Sequence, residues 1–236
     1  MKIQSRSVRG IAFLCCSMLV LSGCVTTHIR NIEKFERGPK PLSVLFMPID
    51  VELSEQGASG ILEPKAAWTA KAKKNLETGI KGVFSGKKSE LLPYSEPASD
   101  SEDARLHTQL IKLHSVVGTE MLFQSIRPLP TKEGKLTWTL GPDIKKLREA
   151  TKADYALFVH MRDSYASAGR AATIFVAALV FGVGLPGGQQ LGFASLVDLR
   201  TGKVVWFNRV ARGSGDLRTP HEAQETINVL MKELPS

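Results

Sequence analysis

The sequence predicts an α/β fold in which a single mixed β-sheet of about five strands is flanked by about four helices. Three observations predict it. Strand-like and helix-like hydrophobic patterns alternate along the chain. The segment ADYALFVHMRD (153–163) is apolar on both faces through Val159, which is typical of a central strand. A C-terminal hairpin follows, and an uncharged apolar segment (171–185) is inserted before it.

The first elements after the N-terminal region are a strand and a helix. SVLFMPIDVEL (43–53) is rich in branched and aromatic residues and predicts a buried strand interrupted near Pro48. Pro64 is expected to open a helix, because proline suits the first helical position. Apolar residues then recur every four positions on one stripe: Trp68, Ala72, Leu76, Ile80 and Phe84. SELLPY (89–94) predicts a short strand.

Two further helices are expected before the central strand. Ser99 and Glu102 match a capping box at the start of the first. Its predicted apolar stripe is Leu106, Leu110, Leu113, Val117 and Met121. The region 127–143 reads as a loop with a brief strand at 136–140, and a short helix then opens at Pro142 and Asp143 with Ile144 and Leu147 turned inward.

The C-terminal region predicts two strands and a helix. QLGFASLVDL (190–199) and KVVWFNRV (203–210) are joined by 200–202, whose Gly202 can take the positive φ of a tight hairpin. Thr219, Pro220 and Glu222 combine an N-cap, a proline at the first helical position and a capping box. The apolar positions of this last helix are Ile227, Leu230, Met231 and Leu234.

The N-terminus predicts secretion. A cationic start carrying Lys2, Arg6 and Arg9 precedes the apolar stretch IAFLCCSMLVL, which is too short to span a bilayer. The stretch ends in Leu21-Ser22-Gly23-Cys24, which resembles the lipobox of bacterial lipoproteins. We therefore expect a lipoprotein signal peptide (1–23), a tether (24–41) and a single periplasmic α/β domain (42–236) with its apolar insertion at 170–189.

The lipobox resemblance implies lipidation at Cys24. In that family the cysteine thiol receives a diacylglyceryl group, the chain is cut before it, and the new amine is often acylated. Val25 stands where an Asp favours inner-membrane retention, so the resemblance implies the periplasmic face of the outer membrane. Cys15 and Cys16 would leave with the signal, so Cys24 is the only mature cysteine and a disulfide or cysteine-based zinc site is excluded.

The charge balance is basic but gives no reason to expect nucleic acid as a partner. The formal net charge of +8 becomes +5 once Lys2, Arg6 and Arg9 are removed with the signal. Such a charge favours solubility and some attraction to anionic lipid headgroups.

The domain also resembles a known superfamily. ADYALFVHMRD, followed by ASLVDLRTGKVVWFNR, is similar to the closing portion of the domain in curli-secretion lipoproteins and their relatives. These relatives include the lipoprotein activators of peptidoglycan synthases and the N-terminal domain of TolB. The shared motifs are structural, so the resemblance implies a fold and not an activity.

The sequence offers no catalytic residues, cofactor site or metal site, and we expect a protein that is not an enzyme. GVGLPG (182–187) satisfies a dinucleotide-binding pattern, but Pro186 lies inside it and a strand follows it. GVFSGKK (82–88) is one residue short of a P-loop and ends a helix. The five histidines do not cluster: His107 and His114 lie about 10 Å apart on one helix, and His160 is alone in a strand.

The segment 171–185 has three interpretations. It is a helix or strand pair completing the core, a segment dipping into the bilayer, or a contact between subunits. It is short for a membrane-spanning helix and lacks the alternation of the transmembrane hairpins that channel-forming curli lipoproteins use.

We expect an accessory, assembly or regulatory envelope lipoprotein acting through protein contacts with an unidentified partner. The alternative is an oligomeric export component of the outer membrane.

Overall fold

A computed structural model describes residues 30–31, 41–127, 129–130, 137–213 and 215–235. Its strands are Arg30–Asn31 (β1), Ser43–Phe46 (β2), Asp50–Gln56 (β3), Leu62–Pro64 (β4), Glu90–Pro93 (β5), Tyr155–Ala166 (β6), Gly188–Asp198 (β7) and Val204–Arg212 (β8). All eight belong to one mixed sheet, in which β1-β8-β7-β6-β2-β5 are neighbours in that order, β3 pairs with β6 and β4 pairs with β3. The predicted α/β class with a single mixed sheet is confirmed.

The helices cover both faces of this sheet. They are Ala66–Ser85 (α1), Glu102–Ile126 (α2), Lys145–Thr151 (α3), Ala168–Phe181 (α4) and Pro220–Leu230 (α5), with a 3-10 turn at Pro142–Ile144. Helices α1 and α5 pack on one face and share a core with β6 residues such as Leu157 and Val159. Helices α2 and α3 pack on the other face, around Phe158 and Phe193. The apolar pattern of β6 on both faces is therefore satisfied, as predicted.

The strand predicted at 43–53 is two strands laid end to end along β6. Phe46 pairs with Leu157 and Asp50 pairs with His160, so the β2–β3 side contains one extra residue between these pairs. Pro48 lies in this irregular step and cannot donate a backbone hydrogen bond. The interruption near Pro48 is confirmed.

Two helix starts differ from the prediction. Pro64 ends β4, where it pairs with Ser54, and α1 begins at Ala66. The cap of α2 is Ser101 and not Ser99, because the Ser101 hydroxyl accepts a hydrogen bond from the backbone N–H of Ala104 at 3.0 Å. The last helix begins as predicted, with the Thr219 hydroxyl accepting from the N–H of Glu222.

The side of α2 that faces the sheet differs from the predicted apolar stripe. Leu113 is 40% exposed, whereas His114 is 2% exposed. Gly118, one turn further, is also buried, and a Cβ at this position would lie 2.0 Å from the Phe193 ring. The helix approaches the sheet through a glycine and a histidine, which a pattern of apolar residues cannot reveal.

The apolar insertion lies at the open end of a long hairpin. Strands β6 and β7 pair from Tyr155↔Asp198 to Tyr165↔Gly188, so the insertion occupies 167–187. Most of it is α4, a helix of 14 residues with no buried residue among them. The interpretation that this segment completes the core is therefore wrong. Among the described residues, none of the helices has the length and apolar character needed to cross a bilayer.

Candidate contact surfaces and the polar groups beneath them

The insertion is a protrusion with defined ends. The Ser167 hydroxyl caps α4 by accepting from the N–H of Arg170 at 3.1 Å, and Gly182, with φ 64°, ends the helix in a left-handed conformation. Two hydrogen bonds fasten its base, from Ser167 N–H to the Gln56 carbonyl at 3.0 Å and from Ala166 N–H to the Gly187 carbonyl at 2.7 Å. The helix is therefore held at its base, and no residue along it is buried.

The far end of the protrusion exposes large apolar side chains. Their exposed fractions are Phe175 64%, Val176 53%, Leu179 69%, Val180 66%, Phe181 73% and Val183 49%. With about 160–200 Å² of surface per free residue of this size, the six expose on the order of 600–750 Å². A typical monomer's largest apolar patch is about 300–600 Å². The apolar area exposed on the protrusion is therefore larger than the largest apolar patch of a typical monomeric protein.

The turn between β3 and β4 extends this surface. It lies beside the base of α4, because a Cβ at Gly169 would be 3.5 Å from the Cβ of Ala58. Ile61 and Leu62, at the end of the turn, are 67% and 52% exposed. We call the six exposed side chains of the protrusion the tip surface; Ile61 and Leu62 lie beside its base.

A buried polar network supports the hairpin just below the protrusion. The Asp163 carboxylate accepts hydrogen bonds from the Tyr165 hydroxyl and, at 2.9 Å, from the Gln190 amide. The Gln190 carbonyl oxygen accepts from Arg212 at 2.8 Å and from Thr226 at 2.9 Å. Burial raises the pKa of Asp163 to about 6, although both hydrogen bonds act to lower it. The network ties β6, β7, β8 and α5 together beneath α4.

An arginine closes the same region from the loop before α5. Arg218 makes a bidentate ion pair with Asp216, with both contacts 2.8 Å, and its guanidinium lies 3.8 Å from the centre of the Tyr165 ring. The N–H of Leu217 donates to the Tyr165 hydroxyl at 2.9 Å. Beside these groups is a cleft of about 300 Å³ with glycine-rich walls. Each polar group has a partner within the protein, so the arrangement serves to position the loop against the hairpin.

The structure brings together two histidines that the sequence analysis kept apart. The rings of His114 and His160 both pack on Phe193, with centroids 5.3 and 4.7 Å away. His114 Nε2 is 2.9 Å from the Ser195 hydroxyl, and His160 Nδ1 is 2.9 Å from the Asp50 carboxylate. His160 is the lone histidine of β6, as predicted, but its neighbours come from α2 and from other strands. Strand pairing brought these partners together, and no sequence spacing signals it.

This cluster resembles a catalytic arrangement only in its residue types. Ser195 is 1% exposed, and burial lowers the pKa of His114 to about 3, so its imidazole is neutral at physiological pH. The Ser195 hydroxyl therefore has no route to a substrate. Burial alone would raise the pKa of Asp50, but the hydrogen bond from His160 and the charge of Arg162 lower it below its usual value. The cluster is a hydrogen-bonded core between α2 and the sheet.

Helix α2 carries a second exposed apolar surface. Leu113, Val116 and Phe123 are 40%, 67% and 62% exposed and share one side of the helix. We call these three residues the α2 stripe. It lies on the face of the sheet opposite α1 and α5.

The two segments that resemble nucleotide-binding motifs, which the sequence analysis rejected as sites, occupy structural positions. Gly182–Gly187 follows a helix and precedes β7, the reverse of the strand-then-helix order that a dinucleotide site requires. Residues 82–88 form the last turn of α1 and the loop after it. Within the described ranges, no three His, Cys, Asp or Glu side chains are grouped to hold a metal ion.

The predicted signal peptide (1–23) and Cys24 lie outside the described residues, as does most of the predicted tether (24–41). Lipidation at Cys24 stays a prediction. Within the tether, Arg30–Asn31 forms β1 and pairs antiparallel with β8.

The geometry thus describes an α/β protein with two exposed apolar surfaces. No protein-family model matches the chain, and no curated protein matches it in sequence. Among solved structures it is similar to a PelC dodecamer from Paraburkholderia phytofirmans, with a TM-score of 0.37 and 11% identity over 88% of this chain and 97% of that one. It is also similar to lipoprotein GNA1162 from Neisseria meningitidis (TM-score 0.30, 14% identity, 72% and 81% covered). A third similarity is to the LpoB C-terminal domain from Salmonella enterica (TM-score 0.28, 14% identity, 74% and 84% covered).

Proposed function

We propose that this protein is a lipid-anchored lipoprotein of the bacterial cell envelope, attached through Cys24 to the periplasmic face of the outer membrane. It acts without catalysis, as an accessory, assembly or regulatory factor that contacts another protein. The lipobox Leu21-Ser22-Gly23-Cys24 supports the anchor. The observation that carries the contact role is the apolar surface that the fold leaves exposed on α2.

The α2 stripe is the surface we assign to the protein partner. Its exposed side chains lie on one side of a helix, which suits a complementary protein surface. It also borders a shallow cleft of about 470 Å³ lined by Val116, Asp50 and Arg162, so apolar and charged groups lie side by side. Such a mixture of an apolar centre and a charged margin is typical of protein interfaces.

The anchor is tested by metabolic labelling with a fatty-acid probe. The wild type should incorporate the probe and a Cys24→Ser variant should not. Equal labelling of the two proteins would contradict the anchor.

The contact role is tested by photo-crosslinking in intact cells. A photoreactive residue at position 116 should give a discrete crosslinked product, whereas the same residue at position 74, exposed on α1, should not. Introducing Phe123→Asp should abolish the product. Equal yields from positions 116 and 74 would refute the assignment of the α2 stripe.

The alternative function is an oligomeric export component. In that case the α2 stripe contacts a second copy of this chain, and crosslinks at position 116 join two identical chains. The mass of the detergent-solubilised protein separates the two functions. A stable ring of many subunits favours export, and a monomer favours the accessory role.

A further inference from the structure

We infer that helix α4 inserts into the same lipid leaflet that, under the proposed function, holds the acyl chains of Cys24. The protein would then be attached to the membrane at two points, the anchor and the tip surface. The occupant of the tip surface is therefore lipid, whereas the α2 stripe faces a protein. The inference depends on the proposed function only for the anchor.

The first support is that α4 is apolar around most of its circumference. At 100° per residue, the exposed residues from Phe175 to Phe181 cover about 240° of the helix. A protein groove covers one face of a docked helix and leaves the rest in water. Hydrocarbon surrounds a helix on all its exposed sides, and helices that are apolar all round are typically buried in a core or a membrane.

The second support is the order of residues along the helix axis. The first turn, at the base of the protrusion, consists of Ala168, Gly169, Arg170 and Ala171, and all the large apolar residues follow from Ile174 onward. Residues 175–181 extend over about 9 Å at 1.5 Å per residue, so an end-on insertion of these turns would reach into one leaflet, whose hydrocarbon is about 15 Å thick. The whole helix, about 21 Å long, is shorter than the hydrocarbon core of about 30 Å.

The third support is charge. Across residues 166–190, all of which the structure describes, Arg170 is the only charged residue. It lies at the base of α4, where it donates to the Pro186 carbonyl at 3.4 Å. A cation at this position would be level with the phosphates of lipid headgroups when the distal turns are inserted. The neighbouring turn, residues 57–62, is also uncharged.

The fourth support is the direction of β1, the described segment nearest to the anchor in the sequence. Strand β1 runs antiparallel to β8 with Arg30 opposite Phe207, so β1 followed backwards points toward Arg212. Arg212 pairs with Gln190, next to the base of the protrusion. From Phe207 to Arg212 is about 17 Å along the strand, and the six residues from Cys24 to Arg30 can span at most about 20 Å. Both attachment points can therefore meet one membrane surface.

The experiment places an environment-sensitive fluorophore on the lipidated protein. A lipidated Cys24 is a thioether and cannot react, so Leu179→Cys supplies a single reactive thiol at a position that is 69% exposed. Val116→Cys, at 67% exposure on the α2 stripe, is the matched control, and Val180→Cys is a second reporter. The purified proteins are reconstituted into vesicles of phosphatidylethanolamine and phosphatidylglycerol, with and without brominated lipid.

We expect blue-shifted emission at positions 179 and 180, quenching by brominated lipid, and loss of quenching by aqueous iodide. The label at position 116 should show none of these changes. Iodide quenching at 179 as strong as at 116 would overturn the inference. Shielding from iodide without quenching by brominated lipid would also overturn it, because a protein, such as a second copy of the chain, would then cover α4.

The same experiment distinguishes a missing lipid at Cys24 from a helix α4 that does not insert. The parent protein should take up no fluorophore, and labelling of the parent at Cys24 would refute lipidation. Lipid quenching at position 179 in a protein that begins at Val25, and so lacks the signal and Cys24, would still establish insertion of α4. Conversely, a lipidated protein whose position 179 stays in water would keep the proposed function and refute the inference.

Discussion

Replacing Phe175 with Asp distinguishes an exposed membrane-binding helix from a core element. Phe175 is 64% exposed, so about a third of its surface, about 70 Å², is covered by the protein. At about 25 cal/mol per Å², the loss of this burial costs no more than about 2 kcal/mol of unfolding free energy. The new carboxylate remains hydrated, so it adds no desolvation cost. The variant should therefore fold.

The matched control is Phe158→Asp. Phe158 is 1% exposed between α2 and the sheet, and an unpaired carboxylate at such a site adds several kcal/mol to the cost of losing the phenyl group. This variant should not fold. Urea unfolding of the two variants, each in a protein that begins at Val25, measures the difference directly.

Vesicle binding supplies the second half of the test. Without the lipid anchor, a protein that begins at Val25, and so lacks both the signal and Cys24, should still cosediment with anionic vesicles through α4. Burying a phenylalanine side chain contributes about 1.5–3 kcal/mol, so Phe175→Asp should weaken this binding at least about tenfold. If Phe175→Asp unfolds the protein, α4 packs against the domain and the exposure argument fails. If it folds and binds vesicles like its parent, the tip surface does not meet lipid.

Three further predictions concern the interior. The pKa of His114 is lowered to about 3 in the folded protein, so the imidazole takes up a proton more readily when the chain is unfolded. The free energy of unfolding should therefore fall as pH drops below about 6.5, by about 2 kcal/mol at pH 5. Urea unfolding of His114→Gln should not show this decrease. The raised pKa of Asp163 acts in the opposite direction, because the protonated carboxyl stabilises the folded protein below about pH 4 and this stabilisation is lost as pH rises through about 6. The free energy of unfolding of Asp163→Asn should therefore rise by about 2–3 kcal/mol relative to that of the wild type between pH 4 and 7. A difference between the two proteins that does not change with pH would contradict the raised pKa. Gly118→Ala should lower the free energy of unfolding by about 1–3 kcal/mol, because the new Cβ would lie 2.0 Å from the Phe193 ring. Gly82→Ala, which has open space around it, should stabilise α1 by up to about 1 kcal/mol. Thermal unfolding that ranks the two variants in the opposite order would refute the close packing of α2 on Phe193.

Local features of the fold were predictable because their signals are local. The Thr219 cap and the hairpin at Gly202, with φ 77°, depend on residues within a few positions of each other. The central strand β6 was predictable from its apolar character on both faces, since only a strand covered on both sides needs it. Which side of α2 faces the sheet, by contrast, depends on the contact between Gly118 and Phe193, which are far apart in the sequence.

The candidate surfaces were predictable only in part. Hydropathy identified 171–185 as the unusual segment of the chain, but it left core, membrane and subunit contact as alternatives. The reason is that hydropathy measures whether a side chain avoids water, and not which neighbour covers it. The α2 stripe was not predicted, because Leu113 was assigned to the core and three exposed apolar residues carry no signal of their own.

By itself, the sequence determined the α/β class, the order of most elements, the signal and lipobox pattern that predict an anchor at Cys24, and the presence of an apolar insertion before the last hairpin. Only the tertiary structure decided that this insertion leaves the core, that β1 points back toward it, and that His114 and His160 share one phenylalanine ring. These facts depend on pairings such as Tyr165↔Gly188 and Arg30↔Phe207, which join distant parts of the chain. Sequence patterns report what each segment requires, and the packing of the whole chain decides which requirements are met inside the protein and which remain at its surface.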